Sequence, residues 1–300
     1  MRTDIKFKNY TDDKYDALCG FLIALNEKDD SHINWNWARL EWMIEHPEFD
    51  KSLKNSIGLW IVDDKIVGAA IYDMYFGEGF CGVLPEYKDL YQAVLEYACN
   101  ELKDDSGFGM AICDDNPTEI EMVQELGFII ADQDEIIMER KLDDSLEAKL
   151  TDGLKFFSPD PVKDAYDLQW LFWQGFDHGY DKAEFEREEE IVPRVRKHFN
   201  KDLGVAAVNE NGEMVACCLL WYMAGTDYVY VEPVCTIPSY RGKGVAKAVI
   251  FEALSRVKKL GAKRAYVISD MEFYERLGFR KKYHYSFWFK KDGEKDYDKN

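Results

Sequence analysis

The strongest constraint on this 300-residue chain is that its two halves follow one plan. The run from Lys65 to Ile71 lies over the run from Glu213 to Leu219, an offset of 148. Leu84, Pro85, Glu86 and Tyr87 lie over Ile237, Pro238, Ser239 and Tyr240 at an offset of 153. Leu126, Gly127 and Phe128 lie over Leu277, Gly278 and Phe279 at an offset of 151. Three matches in the same order at nearly one spacing mark a duplication, so any fold must be one that the chain can build twice. A copy of about 150 residues is long enough to bury its own core.

Within each copy helical and strand patterns alternate, which favours an α/β or α+β architecture. In the first, residues 11–28 read as an amphipathic helix with Leu18, Phe21, Leu22 and Leu25 on one face. Strands over 57–63 and 66–76 are joined by a hairpin at Asp63, Asp64 and Lys65. A helix over 87–103, a strand over 111–113, a helix over 117–126 closed by Gly127 and a strand over 128–140 follow. In the second, helices are expected over 162–175 and 184–199, strands over 203–209, 213–224 and 228–236, and a helix over 243–260. A strand over 264–269, a helix over 271–277 and a strand over 281–290 complete it. The acidic, turn-rich residues 143–153 read as a linker between domains at 1–142 and 154–291, with 292–300 a polar tail.

The 38 Lys and Arg against 57 Asp and Glu give a formal charge of −19, alongside 47% apolar and 15% aromatic residues. That much apolar material excludes a disordered acidic tail. The negative sum argues against nucleic acid or an anionic membrane surface as the main partner. The longest apolar stretch, 214–224, is about half of a bilayer span. The opening residues are too polar for a secretory signal and too acidic for a transit peptide. Seven cysteines without a C-x-x-C read as reduced thiols of a cytoplasmic protein, and five scattered histidines without ligand spacing predict no metal site. The charge is uneven. Residues 236–291 hold 14 basic and 4 acidic side chains, a balance of +10, and the remainder holds 24 and 53, or −29. A solvated helix face and a site for a polyanionic small molecule both fit such a block.

Inside it, Arg241, Gly242, Lys243, Gly244, Val245 and Ala246 sit between an expected strand and an expected helix. Glycines let a backbone approach an anion closely, and the helix N-terminus offers unpaired N–H groups and a positive dipole end. Arg241, Lys243 and Lys247 add charge. The spacing is neither that of a Walker A loop nor that of the dinucleotide-binding G-x-G-x-x-G. The segment resembles the R-x-x-G-x-G/A signature of the GNAT (Gcn5-related) N-acetyltransferase superfamily. The approach through Val234, Cys235, Thr236 and Ile237 matches the family in order and spacing, as do Phe273, Tyr274, Gly278 and Phe279 downstream. The specific resemblance covers about residues 200–290, and the whole chain is similar to a tandem GNAT protein with a degenerate first copy.

The resemblance implies two tandem domains, each a mixed, mostly antiparallel sheet flanked by helices, and an acyl-CoA donor, most often acetyl-CoA. It implies that amides of residues 241–246 cradle the pyrophosphate and that the main chain of Val234, Cys235 and Thr236 pairs with the pantetheine arm. The first copy has Pro85, Glu86, Tyr87, Lys88 and Asp89 at the loop; both glycines are gone and the carboxylates repel phosphate, so no CoA is expected there. Acyl transfer to an amine needs a neutral nucleophile, a donor for the oxyanion and a proton for the leaving thiolate. Tyr274 occupies the family's general-acid position, and the first copy has Val123 there. By period-2 alternation Glu232 shares a face with Val234 and Thr236, unless Pro233 introduces a bulge, and it is a candidate base, a substrate ligand or an ion-pair partner. Asp177 with His178 is a second candidate pair, while Cys235 reads as a structural thiol.

For the acceptor, Trp173 and Phe176 with neighbouring aromatics, and seven acidic against two basic residues over 177–190, suit a cationic group; a core face plus a solvated helix accounts for the same residues. The leading expectation is a CoA-dependent N-acyltransferase acting on a primary amine of a small molecule in a direct ternary complex, as a monomer or homodimer. A non-catalytic acyl-CoA sensor on the same scaffold, and a scaffold whose first domain mediates partner binding, are the alternatives.

Overall fold

The computed structural model describes residues 4–46, 48–143, 145–191 and 197–292. Its elements run β1 (Lys6–Asn9), α1 (Tyr15–Lys28), α2 (Trp37–Ile44), β2 (Gly58–Val62), β3 (Lys65–Asp73), β4 (Tyr75–Val83), α3 (Tyr91–Glu101), β5 (Gly107–Cys113), α4 (Pro117–Glu125) and β6 (Ile129–Lys141). There follow β7 (Lys155–Phe157), α5 (Ala165–Gly175), α6 (Lys182–Glu188), β8 (Val205–Val208), β9 (Met214–Trp221), β10 (Tyr228–Thr236), α7 (Val245–Lys258), β11 (Arg264–Ile268), α8 (Glu272–Arg276) and β12 (Arg280–Lys291). This is the mixed α/β arrangement expected, with sheets that are mostly antiparallel and flanked by helices.

Two compact units share the chain, but not as consecutive segments. One takes the residues through Ile137, then Ile268–Asp270, and then the last strand from Lys281; the other takes Met138–Val267 and Met271–Arg280. The crossover therefore falls inside β6 rather than in 143–153, and most of β12 leaves the 154–291 segment. The reason is in the pairing: Tyr285 lies opposite Cys113, Trp288 opposite Met110 and Lys291 opposite Gly107, so β12 completes the sheet of the first unit. A linear boundary read from composition has no access to such an exchange. Of the polar tail, only Asp292 lies among the described residues.

In the first unit the strand order is β1-β2-β3-β4-β5-β12-β6, with β4 and β5 parallel. The β2–β3 hairpin turns on Asp63 and Asp64 at φ 48° and 62°, the left-handed pair that a two-residue turn demands and that aspartate tolerates. β4 is a separate strand because the chain reverses at Met74, φ 57°. A methionine there carries no turn signal, which is why the sequence reads residues 66–76 as one strand. Trp37 and Leu18 are fully buried, and buried Trp35 stacks on Phe80 at 5.3 Å, so these two tryptophans belong to the first copy's core, while Trp42 is half-buried.

In the second unit the order is β6-β11-β10-β9-β8-β7, with β10 and β11 parallel. All eight residues of β9 are buried, which requires cover on both faces. Leu168 and Leu171 of α5 pack on Met214 and Cys217 of β9 and on Cys235 of β10, while α7 buries Val249, Leu254 and Val257. α6 is half as long as expected, ending at Glu188. Its N-terminus is capped by Asp181, but three consecutive carboxylates at the other end, Glu188, Glu189 and Glu190, oppose the helix dipole. The rest of that expected helix lies partly outside the described residues, at 192–196.

The exchange of β12 has a measurable consequence. Trp288 is buried and faces β5, so Trp288→Ala should remove about 3 kcal/mol of stability or more. Amide exchange should speed up in residues 107–113, distant in sequence, while α7 and β9 keep their protection; loss of protection confined to the second unit would contradict the assignment.

Candidate active site

A cleft of about 660 Å³ opens in the second unit at the C-terminal end of β10. Two breaks in the strand ladder make it. β10 pairs with β11 only from Tyr228 to Tyr230. On its other side Val231 lies opposite Leu220 and Val234 opposite Cys218, so three steps on β10 match two on β9 and a bulge falls at Glu232 and Pro233. The simple alternation that placed Glu232 on the face of Val234 and Thr236 therefore fails here. Val234, Cys235 and Thr236 line the cleft and Glu232 does not.

The glycine loop forms one wall. Tyr240 and Arg241 end a short 3-10 turn begun at Pro238. Gly242 and Gly244 then take φ 73° and 78°, and Gly244 caps α7 from the left-handed region. A Cβ on either glycine would meet open space, so these positions require glycine for conformation and not for room. Gly242, Gly244, Val245 and Ala246 line the cleft together with Lys247, where the first turn of α7 leaves its N–H groups without helical acceptors. Two residues depart from expectation. The N–H of Arg241 already donates to Pro238 O at 3.1 Å, and Lys243 lies outside the cleft with its ammonium 5.1 Å from the Tyr240 ring. On the opposite wall Thr236 Oγ1 is buried without a hydrogen-bond partner. A long polyanionic ligand with an amide-bearing arm fits this donor set: amides and a dipole for phosphate, and an unsatisfied hydroxyl beside the strand for the arm.

Tyr274 enters from α8 and is 8% exposed within the cleft lining. Burial, then the Glu232 carboxylate, then the Cys218 thiol push its phenol well above the ordinary range and keep it protonated. Glu232 thus acts on Tyr274 through its field, while its backbone carbonyl accepts from Trp221 Nε1 at 2.8 Å. Cys235 lies 3.7 Å from Cys217, thiol to thiol. The hydrogen bond between them, with burial and the charge of Glu232, drives the Cys235 thiol up, which leaves it a packing group and no nucleophile.

The acceptor candidates divide. Phe176, 47% exposed, and Asp177 line the cleft; Trp173 and His178 do not. Trp173 and Trp170 pack on Phe185, which is fully buried between α5 and α6, and exposed His178 leans on Trp173 at 5.4 Å. Asp177 is held by Arg241 at 3.0 Å and by the Tyr180 hydroxyl at 2.8 Å, contacts that keep its carboxyl below the ordinary range. Asp181 caps α6, Glu186 accepts from Tyr166, and Glu188 pairs with Arg187. The acid-rich run is therefore mostly structural. Sequence reasoning missed Met271, 58% exposed at the cleft, and the role of Gly175, where a Cβ would come within 2.8 Å of Cys235 Sγ.

The first unit shows what the missing glycines do. Leu84 N donates to Val67 O just as Ile237 N donates to Val215 O, and Tyr87 N reaches Leu84 O as Tyr240 N reaches Ile237 O. After that the copies part. Residues 85–90 form two short 3-10 turns separated by a kink at Tyr87, φ −120°, and lead into α3, capped by Leu90 at φ −86°, with Tyr91 buried at the first turn beside Glu119. Glu119 in turn meets His32 at 3.3 Å. No left-handed loop opens at that helix, and an aromatic ring and a carboxylate fill its start.

Residues 162–279 match the Acetyltransferase (GNAT) family. The uncharacterized N-acetyltransferase YhbS of Escherichia coli strain K12 is 26% identical over 105 residues, covering 32% of this chain and 60% of that protein, less than two thirds of its length. Among solved structures, a tandem GNAT protein from the clavulanic acid biosynthesis pathway has a TM-score of 0.65 at 12% identity, covering 97% of this chain and 100% of that one. A GCN5-related N-acetyltransferase from Sphaerobacter thermophilus has a TM-score of 0.56 at 15% identity, covering 97% and 96%. At these identities the structural likeness concerns the fold. The family match falls on the half that carries the glycine loop, and a tandem relative shares the fold along nearly the whole chain: residues 162–279 form a GNAT-family domain, set in a chain folded like a tandem GNAT protein.

Proposed function

We propose that the second unit is an acyl-CoA-dependent N-acyltransferase that moves an acetyl group to the primary amine of a small molecule, and that the first unit binds no CoA. The observation that carries this reading is the meeting of two features in one cleft: left-handed glycines at the start of α7, and a buried, protonated Tyr274. The donor would supply an activated thioester carbonyl. Backbone N–H groups from Gly242 to Ala246 would hold its pyrophosphate, and Thr236 Oγ1 with the main chain around Val234 would hold its arm. A main-chain N–H beside the bulge would take the developing oxyanion. The amine nitrogen forms the new C–N bond as the C–S bond breaks; Tyr274 gives its proton to the departing sulfur, and Glu232, which stands outside the cleft lining, accepts the proton lost by the amine through water.

All seven cysteines are free thiols, and no helix among the described residues is long and apolar enough to cross a membrane, which agrees with work in a reducing compartment such as the cytoplasm. A non-catalytic acyl-CoA sensor would need the loop but not the acid, so the retained phenol favours the enzyme.

Tyr274→Phe should lower turnover by about 10²-fold or more while acetyl-CoA affinity, measured by calorimetry, stays within a few fold. Unchanged turnover in a screen of primary amines for free-thiol release would remove Tyr274 as the acid, and absence of acetyl-CoA binding by the unaltered protein would remove the reading altogether. The raised phenol also shapes the pH profile. A free tyrosine loses its proton near pH 10, but Tyr274 holds its proton above that point, so kcat/KM should rise as the amine becomes neutral and stay level to at least about pH 10. A descending limb centred at or below about pH 9 would contradict the acid assignment.

A further inference from the structure

Arg241 opens the signature, and its position suggests a phosphate ligand. Its side chain points to a different task. Nε donates to Thr236 O at 2.9 Å, and Nη2 donates to Gly175 O at 2.8 Å while pairing with the Asp177 carboxylate at 3.0 Å. Its own N–H is engaged by Pro238 O at 3.1 Å. One guanidinium therefore joins the end of β10 to the end of α5 and to the loop that follows it. The loop turns at Asp177, φ 62°, a left-handed conformation that aspartate tolerates, and the neighbouring Phe176 is half exposed at the cleft, so few packing contacts other than this clamp hold the turn in place. Beneath it, Gly175 sits so close to Cys235 that any side chain would push α5 off the strand.

We propose that Arg241 is a positioning residue for acyl transfer, one that clamps the loop over residues 175–180 along the cleft and leaves the phosphates to the backbone N–H groups from Gly242 onward. The proposal rests on reading the cleft as an acyl-CoA site. It also accounts for Asp177: its carboxylate is neutralised within the clamp and is not the receptor for a cationic acceptor. The planar fork of arginine can meet two carbonyls and a carboxylate at once, whereas the single ammonium of lysine satisfies the charge but not the whole set.

Hydrogen exchange and acetyl-CoA calorimetry on the full chain test this. In R241Q the amides of residues 176–181 should exchange at least tenfold faster while those of α7 and β9 do not, and the acetyl-CoA Kd should stay within threefold with an unchanged salt dependence. R241K should recover part of the protection, D177N should resemble R241Q, and the double variant R241Q/D177N should add little to either. A Kd weakened tenfold or more with a shallower salt dependence would show the guanidinium to be a phosphate ligand, and loop exchange unchanged in both R241Q and D177N would show that no clamp exists. Either result overturns the proposal. If R241Q loosens the whole second unit, D177N alone decides, because it removes one partner and leaves the rest of the fork in place. If the unaltered protein binds no acetyl-CoA, the acyltransferase reading falls while the exchange comparison still reads out the clamp.

Discussion

After Tyr230, strand β10 stops pairing with β11, and one residue later it slips by one position against β9. The cleft depends on this double release. Had the parallel pairing continued, the edge of β10 would be filled by β11 and the main chain of Val234, Cys235 and Thr236 would have no open side. Had the register with β9 held, residues after Val231 would face the opposite way, since a one-residue shift inverts every side chain on a strand. The bulge puts Val234 through Thr236 on the lining and turns Glu232 aside, near enough for its charge to act on Tyr274 and Cys218. Gly175 then lets α5 close down on Cys235, and the glycine loop and α8 bring the N–H donors and the phenol to the remaining sides.

Much of this was legible in the sequence where local chemistry decides. The hairpin at Asp63 and Asp64, the helix closure at Gly127 and the glycine loop depend on residues adjacent in the chain, and they stand where glycine and aspartate placed them. Three things were not legible. The turn at Met74 uses a residue with no preference for it. The bulge at Glu232 and Pro233 reveals itself only against β9 as a partner, although proline made it an open alternative. The departure of β12 to β5 is a pairing between residues more than 170 positions apart, in a strand whose own pattern is the same in either place. Trp173 and His178 were misplaced for a related reason: an aromatic-rich helix reads alike whether its face meets a ligand or, as here, Phe185.

The basic block takes on a different meaning once its contacts are known. Arg256 braces Glu252, Ser158 and the carbonyls of Asp202 and Gly204. Arg264 pairs with Asp227 and Glu139, Arg276 with Glu272, and Lys282 with Asp30. Two of these pairs, Arg256–Glu252 and Arg276–Glu272, cancel within the block, while Arg264, Lys282 and Arg241 are engaged by carboxylates outside it; along the cleft itself the charge left for a polyanion is that of Lys247, beside the uncharged N–H groups of the loop. That division suits a ligand that must leave after each turnover: hydrogen bonds and a helix dipole hold phosphate with directional selectivity, without the dense charge that would retain any anion.

The two copies then isolate what the site needs from what the fold needs. Both close their last helix in the same way, with Gly127 N on Gln124 O and Phe128 N on Val123 O, against Gly278 N on Glu275 O and Phe279 N on Tyr274 O. Both also start the loop with matching hydrogen bonds from Leu84 and Ile237. The scaffold survives in each, so these contacts serve folding. What differs is Leu90 and Tyr91 in place of a left-handed Gly244, and buried Val123 in place of Tyr274. The left-handed glycine turn and the buried phenol are absent together in one copy and present together in the other. Paired absence is expected if the two features serve one reaction, because an acid without a bound thioester has nothing to protonate.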